Sequence, residues 1–217
     1  FIYTSALMFV LRFFAGPIVH RINPLGLLLA SAVLATIGLF MLGSVATGVA
    51  ILLAGTIYGI GKTFFWPTML AVVSERFPKG GALTLGAIGG IGMLSAGLLG
   101  GPGIGYKQDY FASEYLQEEH QAVYQEYASD SKQGFLFFSE IAGLDGAKVG
   151  ALLERNPSEL SATETEERAI LEEASIYGGQ SAFRWTALVP LTMTLGFLLL
   201  IFYFRAQGGY KAIQLGK

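Results

Sequence analysis

The chain has no cysteine, two histidines and, outside one 74-residue segment, a single acidic side chain. Each scarcity removes a class of chemistry. Without cysteine there is no disulfide, no thiolate nucleophile and no cysteine-based metal site, and the redox compartment is left open. His20 and His120 stand alone in their regions, so no metal pair is visible. Charged residues make up 14% of the chain, against roughly 25% in ordinary soluble domains. No Asp or Glu lies in any of its five long apolar runs. A proton-coupled carrier usually needs an intramembrane carboxylate, so one would have to come from outside this sequence. Intramembrane hydrolysis lacks both an Asp pair and a Ser/His pair. No enzyme is indicated, no cofactor or metal is implied, and no nucleic acid is expected as a partner.

What the chain does have is apolar length. It is 53% hydrophobic, with mean hydropathy +0.53. The runs cover 1–19, 25–45, 48–73, 82–105 and 181–205. A hydrocarbon core about 30 Å thick needs about 20 helical residues. The expected fold is therefore all-α, a polytopic membrane helix bundle. The chain begins at Phe1 inside an apolar run, with no basic stretch before it, so a fragment of a longer protein is expected rather than a signal peptide.

Charge divides the chain in two. Residues 107–180 hold 15 of the 16 acids and five of the 14 basic residues; the remainder holds nine basic residues and Glu75. This predicts a small acidic, partly helical insert outside the membrane, followed by the last span and a basic tail at 206–217. Within the insert, 108–130 reads as an acidic, Tyr-rich amphipathic helix and 134–146 as irregular. A short helix is expected at 147–155. Ser161 and Glu164 form a capping box that opens another helix, which Gly178 and Gly179 are expected to end. Phe135, Leu136, Phe137 and Phe138 form an apolar patch, either folded onto the insert or resting on the bilayer.

The fourth run is the richest in glycine. Gly86/Gly90 and Gly97/Gly101 are small-residue pairs that let helices approach closely. Gly100, Gly101, Pro102 and Gly103 predict a break or kink at its end. Alternating crossings place Arg21, Arg76, Lys79, Arg205, Lys211 and Lys217 on one side, which the positive-inside rule makes cytoplasmic. The insert is then outside and the C-terminus inside.

Lys62 is the most informative residue. It lies near the centre of the third run, where a lysine costs about 2.5–3.5 kcal/mol on insertion scales. Its stem cannot span the roughly 15 Å to either surface. At about 100° per residue, Gly55, Tyr58, Gly59, Lys62, Trp66 and Met69 share a face. This face is either a cavity wall or a packed helix interface; Pro67, which frees the carbonyl of Thr63, fits both. Tyr58, Lys62 and Trp66 are the candidate solute-binding residues. Arg12, about 10 Å from its helix end, is either an anchor or a further cavity residue. Gly61-Lys62-Thr63 mimics the end of a phosphate-binding loop, but Thr56 stands where that rule needs glycine.

Between the first two runs, Gly16, Pro17, Ile18, Val19, His20 and Arg21 resemble the second copy of the loop motif of the major facilitator superfamily. Gly16 and Arg21 match. His20 stands where Asp is expected, and Asn23 and Pro24 replace the later Gly and basic residue. Glu75, Arg76, Phe77 and Pro78 look like that family's cytoplasmic loop two helices later. The resemblance covers 1–106 and 183–205 and is silent on the insert. It implies helices eight to twelve of a twelve-helix transporter, with a six-helix bundle of the same chain before Phe1. It also implies gating or loop-fixing roles for Gly16, Arg21, Glu75 and Arg76, and a solute site near the midplane. The expected function is secondary active transport of a small solute, with a sugar or other small polar molecule as the leading class, by symport or antiport across the plasma (inner) membrane. The alternative is a non-transporting sensor or assembly subunit whose outer domain binds a partner.

Overall fold

The computed structural model describes residues 2–14 and 22–213. Gly16, His20 and Arg21, and with them the loop motif, lie outside the described residues. The described chain is helical, with two isolated bridges and no strand. Four helices are long and apolar enough to cross a membrane, Pro24–Leu42, Gly48–Arg76, Pro78–Glu119 and Ala162–Ala206, and Ile2–Phe13 is a shorter apolar helix. Such a chain is compatible with an integral membrane helix bundle. It divides into two compact units, Phe1–Ala96 with Thr186–Lys217, and Gly97–Trp185.

In the first unit α1 is Ile2–Phe13, α2 Pro24–Leu42, α3 Gly48–Thr63, α4 Phe65–Arg76, α5 Gly81–Ser95 and α10 Leu188–Ala206. The centre is α2. It starts where Asn23 accepts the Leu25 N–H at 2.9 Å and Pro24 occupies the first turn, an arrangement that needs no donor from proline. It packs against α3, α4 and α10, burying Leu25, Leu28, Ala32, Ala35 and Leu39. The approach of α3 is close because small residues face each other. A methyl on Gly61 would lie 2.5 Å from the Ala35 nitrogen and 2.9 Å from the Ser31 carbonyl. A methyl on Gly38 would meet the Tyr58 backbone at 2.6 Å. Gly61 is thus a packing residue between apolar helices, which accounts for it without any phosphate loop.

The third apolar run is not one uniform helix. Phe64, at φ −99° and ψ −6°, separates α3 from α4. Pro67 has no N–H to offer the Thr63 carbonyl, and the Thr63 hydroxyl bonds back to the Gly59 carbonyl at 2.6 Å, a contact that bends helices. The Thr68 N–H picks up the Phe64 carbonyl at 3.1 Å, and the helix resumes.

The second unit contains α6 (Gly101–Glu119), α7 (Gln121–Tyr127), α8 (Gly146–Leu153) and most of α9 (Ala162–Thr186). The chain does not break at Gly100–Gly103, and the stop expected at Gly178–Gly179 is absent. At Gly100–Gly103 the chain stays helical: a single π turn over Ala96–Gly100 precedes Pro102, and such a turn widens the helix locally instead of ending it. At Gly178–Gly179, α9 runs straight through. Gly178 serves close approach there, since a methyl on it would lie 2.5 Å from the Gln108 carbonyl of α6 and 2.9 Å from the Ala112 Cβ. The expected helix at 108–130 divides at His120, whose φ of −138° separates α6 from α7. Ala112, Leu116, Tyr127, Leu152, Leu171 and Ala174 form this unit's own core. The capping box is formed: the Ser161 N–H donates to Glu164 at 2.8 Å, and the Glu164 N–H donates to the Ser161 hydroxyl at 3.2 Å.

Candidate functional site

Around Lys62 the stripe of six residues does two jobs. Gly55 and Gly59 are buried against α1, with methyls there 3.9 Å from Thr4 and 3.0 Å from Leu7. The Tyr3 and Thr56 hydroxyls are 2.6 Å apart across the same contact. Trp66 lies over the glycine-rich α5, where a methyl on Gly92 would strike its ring at 2.7 Å. Much of the stripe is therefore helix interface. What remains is a pair: the Lys62 ammonium sits 5.0 Å from the centroid of the Tyr58 ring. Lys62 is half-buried and in the last turn of α3, where the carbonyl end of a helix favours a cation. Trp66 keeps 37% of its surface exposed. Arg12 is exposed in the last turn of α1.

Glu75 and Arg76 end α4 and hold the C-terminal segment. The Tyr210 hydroxyl donates to the Glu75 carboxylate at 2.7 Å. The Ile213 N–H donates to the Glu75 carbonyl at 2.9 Å, and Arg76 donates to the Lys211 carbonyl at 2.9 Å. The Arg76 guanidinium lies 4.9 Å from the Phe204 ring, and the Phe204 and Tyr210 rings meet nearly perpendicular, with centroids 5.4 Å apart. Burial, and then the Glu75 carboxylate, push the Tyr210 hydroxyl pKa well above its ordinary value. The chain returns to α4 because Gly208 and Gly209 take φ of 88° and 99°, a left-handed region that favours glycine. A glycine pair is a local signal that could have foretold this turn; Tyr210 as the partner of Glu75 has no local signal. A cavity of about 210 Å³ beside this clasp is lined by Asn23, Ile201, Phe204, Arg205 and Tyr210.

The second unit holds a cation that the sequence did not single out. Lys107 is 8% exposed. Its ammonium lies 4.4 Å from the ring of Phe138, 4.9 Å from Tyr110, 5.0 Å from Trp185, 5.6 Å from Tyr106 and 5.7 Å from Phe111. Three of these rings are its neighbours on α6, while Phe138 and Trp185 arrive from distant segments. Burial pulls its pKa down, and Glu114 partly offsets this. Such a cation-in-rings arrangement ties segments together. Among the described residues no group of three or more metal-ligating side chains occurs.

No family model matches this chain, and no curated protein or solved structure matches it significantly.

Proposed function

We propose that this chain is the C-terminal part of a secondary transporter of the major facilitator type, moving a small solute by alternating access. The observation that carries the reading is the interruption of the third apolar helix at Phe64, two residues from Lys62 and six from Tyr58. Interrupted helices whose free backbone ends and polar side chains meet near the midplane are how such carriers hold a solute. A half-buried ammonium without a carboxylate in the surrounding apolar runs is suited to a solute with anionic or hydrogen-bond-accepting groups, and the Tyr58 ring to the flat face of a sugar. In this proposal Lys62, Tyr58 and Trp66 contact solute, and Arg12 lies on the path to it. Glu75 and Arg76, with Gly16 and Arg21, act at the cytoplasmic gate. The C-terminus is cytoplasmic, the insert is outside, and the membrane is the plasma (inner) membrane. The missing partner is a six-helix bundle of the same chain. Flux of labelled sugars, carboxylates and nucleosides into proteoliposomes holding the full-length protein tests the reading; no flux of any class overturns it.

A second reading is favoured by one observation. The unit 97–185 has its own buried core, as a partner-binding domain of a sensor or assembly subunit would. Retained flux after replacement of residues 108–179 by a short linker would separate the two.

A further inference from the structure

We infer that the tip formed by Leu136 and Phe137 is a membrane anchor, inserted into the bilayer surface on the side of the insert. The tip is built, not frayed. Gln133 and Ile141 exchange both backbone hydrogen bonds, at 2.8 and 3.0 Å, and the Phe138 N–H closes a tight turn onto the Phe135 carbonyl at 2.9 Å. Within this turn the four apolar residues divide. Phe135 and Phe138 face inward, with ring centroids 6.2 and 5.7 Å from that of Tyr106, and Phe138 covers Lys107. Leu136 and Phe137 face outward, 66% and 86% exposed. Leu136 holds φ at 54°, a backbone conformation that a branched apolar side chain rarely takes. A solvated turn would place glycine or asparagine there.

The surroundings of the tip name its partner. Phe135 packs on Gly103, where a methyl would lie 3.0 Å from its ring, and the Tyr106 hydroxyl donates to the Ser139 carbonyl at 2.6 Å. Gly103 and Tyr106 lie where the apolar stretch of the 42-residue helix Pro78–Glu119 gives way to the polar sequence that starts at Lys107. Trp185, whose ring meets Phe138 edge-on at 5.7 Å, precedes the apolar α10 by three residues. The residues that hold this turn thus adjoin, in sequence, the apolar stretches on either side of the insert. Tyr106, Tyr110 and Trp185 form the kind of aromatic belt that marks a membrane interface. A rigid turn presenting two apolar side chains beside such a belt meets headgroups and the first methylenes of the acyl chains. The inference concerns the insert and does not depend on transport.

The absence of native cysteine permits a direct test with the full-length protein in nanodiscs. Nitroxide labels are placed singly by Phe137→Cys and, as an independent reading, Leu136→Cys. Leu199→Cys on an exposed apolar face of α10 is the lipid reference, and Glu166→Cys on α9 the water reference. Collision rates with oxygen and with a neutral nickel chelate are compared by electron paramagnetic resonance. Both tip labels are expected to favour oxygen over nickel several-fold more than Glu166→Cys, approaching Leu199→Cys. A ratio equal to that of Glu166→Cys overturns the inference, as does protection from both reagents, which would mean that protein covers the tip. A water-like ratio at Leu199→Cys would instead overturn the membrane reading of α10.

Discussion

Gly178 of α9 lies directly on the Gln108 carbonyl of α6, with no room for even a methyl between them. Its neighbour Gly179 has space, since a methyl there would meet only the Gln108 side-chain amide at 3.9 Å. Two adjacent glycines therefore have opposite substitution chemistry. Gly178→Ala is expected to destabilise the 97–185 unit by about 1–3 kcal/mol through overpacking. Gly179→Ala is expected to be neutral or to stabilise it by up to ~1 kcal/mol, as alanine does inside a helix. Thermal unfolding followed by circular dichroism reads the difference; equal losses would contradict the packing role of Gly178.

Lys107→Met keeps the aliphatic stem and removes the charge that five rings surround. A desolvated cation–π contact is worth about 2 kcal/mol or more, and Phe138 depends on it most closely, at 4.4 Å. Amide exchange in residues 133–141 is expected to accelerate by at least about tenfold, since roughly 1.4 kcal/mol corresponds to a factor of ten. Unchanged exchange there would mean that the aromatic contacts alone hold the turn.

Glu164 gives the insert an acid limit. Its pKa falls from 4.5 to about 2, first through the Ser161 backbone N–H and hydroxyl and then through the Arg155 guanidinium. A depressed carboxylate contributes stability that is complete above its unfolded value and is lost as pH falls through its folded value. The start of α9 should therefore hold at pH 5 and loosen between about pH 4.5 and 2. Carbon-13 NMR of the Glu164 carboxyl measures the titration. Arg155→Gln is expected to raise its midpoint part-way towards 4.5, and a midpoint already near 4.5 in the parent protein would refute the contact.

Tyr210→Phe removes the bond to the Glu75 carboxylate but keeps the ring against Phe204. A hydrogen bond to a charged group contributes about 1.5–3 kcal/mol net. Release of 210–213 from α4 should appear as faster modification of a cysteine placed at Ile213. Arg76→Gln, which also withdraws the cation from Phe204, should release it further. Equal rates in all three proteins would show that the Ile213 backbone bond is sufficient by itself.

Lys62→Gln tests the proposed solute site. The variant should insert at least as well as the parent, since the cost of placing an ammonium in the apolar run is gone. Transport or solute affinity should fall by an order of magnitude or more, roughly 1.4 kcal/mol. Lys62→Arg should rescue only in part, because a planar fork does not replace a point charge over the Tyr58 ring. Normal transport by Lys62→Gln would make the lysine structural.

The division between sequence and tertiary structure follows the range of the forces. Periodicity, apolar length and local capping act within a turn or two of chain. The long apolar helices, the Ser161–Glu164 capping box and the acidic segment could therefore be read directly. Glycine could not. Its local preference is to break a helix at Gly100–Gly103 and to end one at Gly178–Gly179, yet the chain stays helical through both, and at Gly178 the contact with α6 outweighs that preference. The same long-range packing placed α2 at the centre of its unit. It turned Gly55 and Gly59 onto α1, and drew Phe138 and Trp185 around Lys107 and Tyr210 onto Glu75. The sequence by itself determined which segments are helical and apolar and where charge is concentrated, because these are sums over neighbouring residues. Only the tertiary structure decided which glycines are contacts and which cations are caged. Those depend on groups far apart in the chain being brought within a few ångströms, and no local pattern encodes that distance.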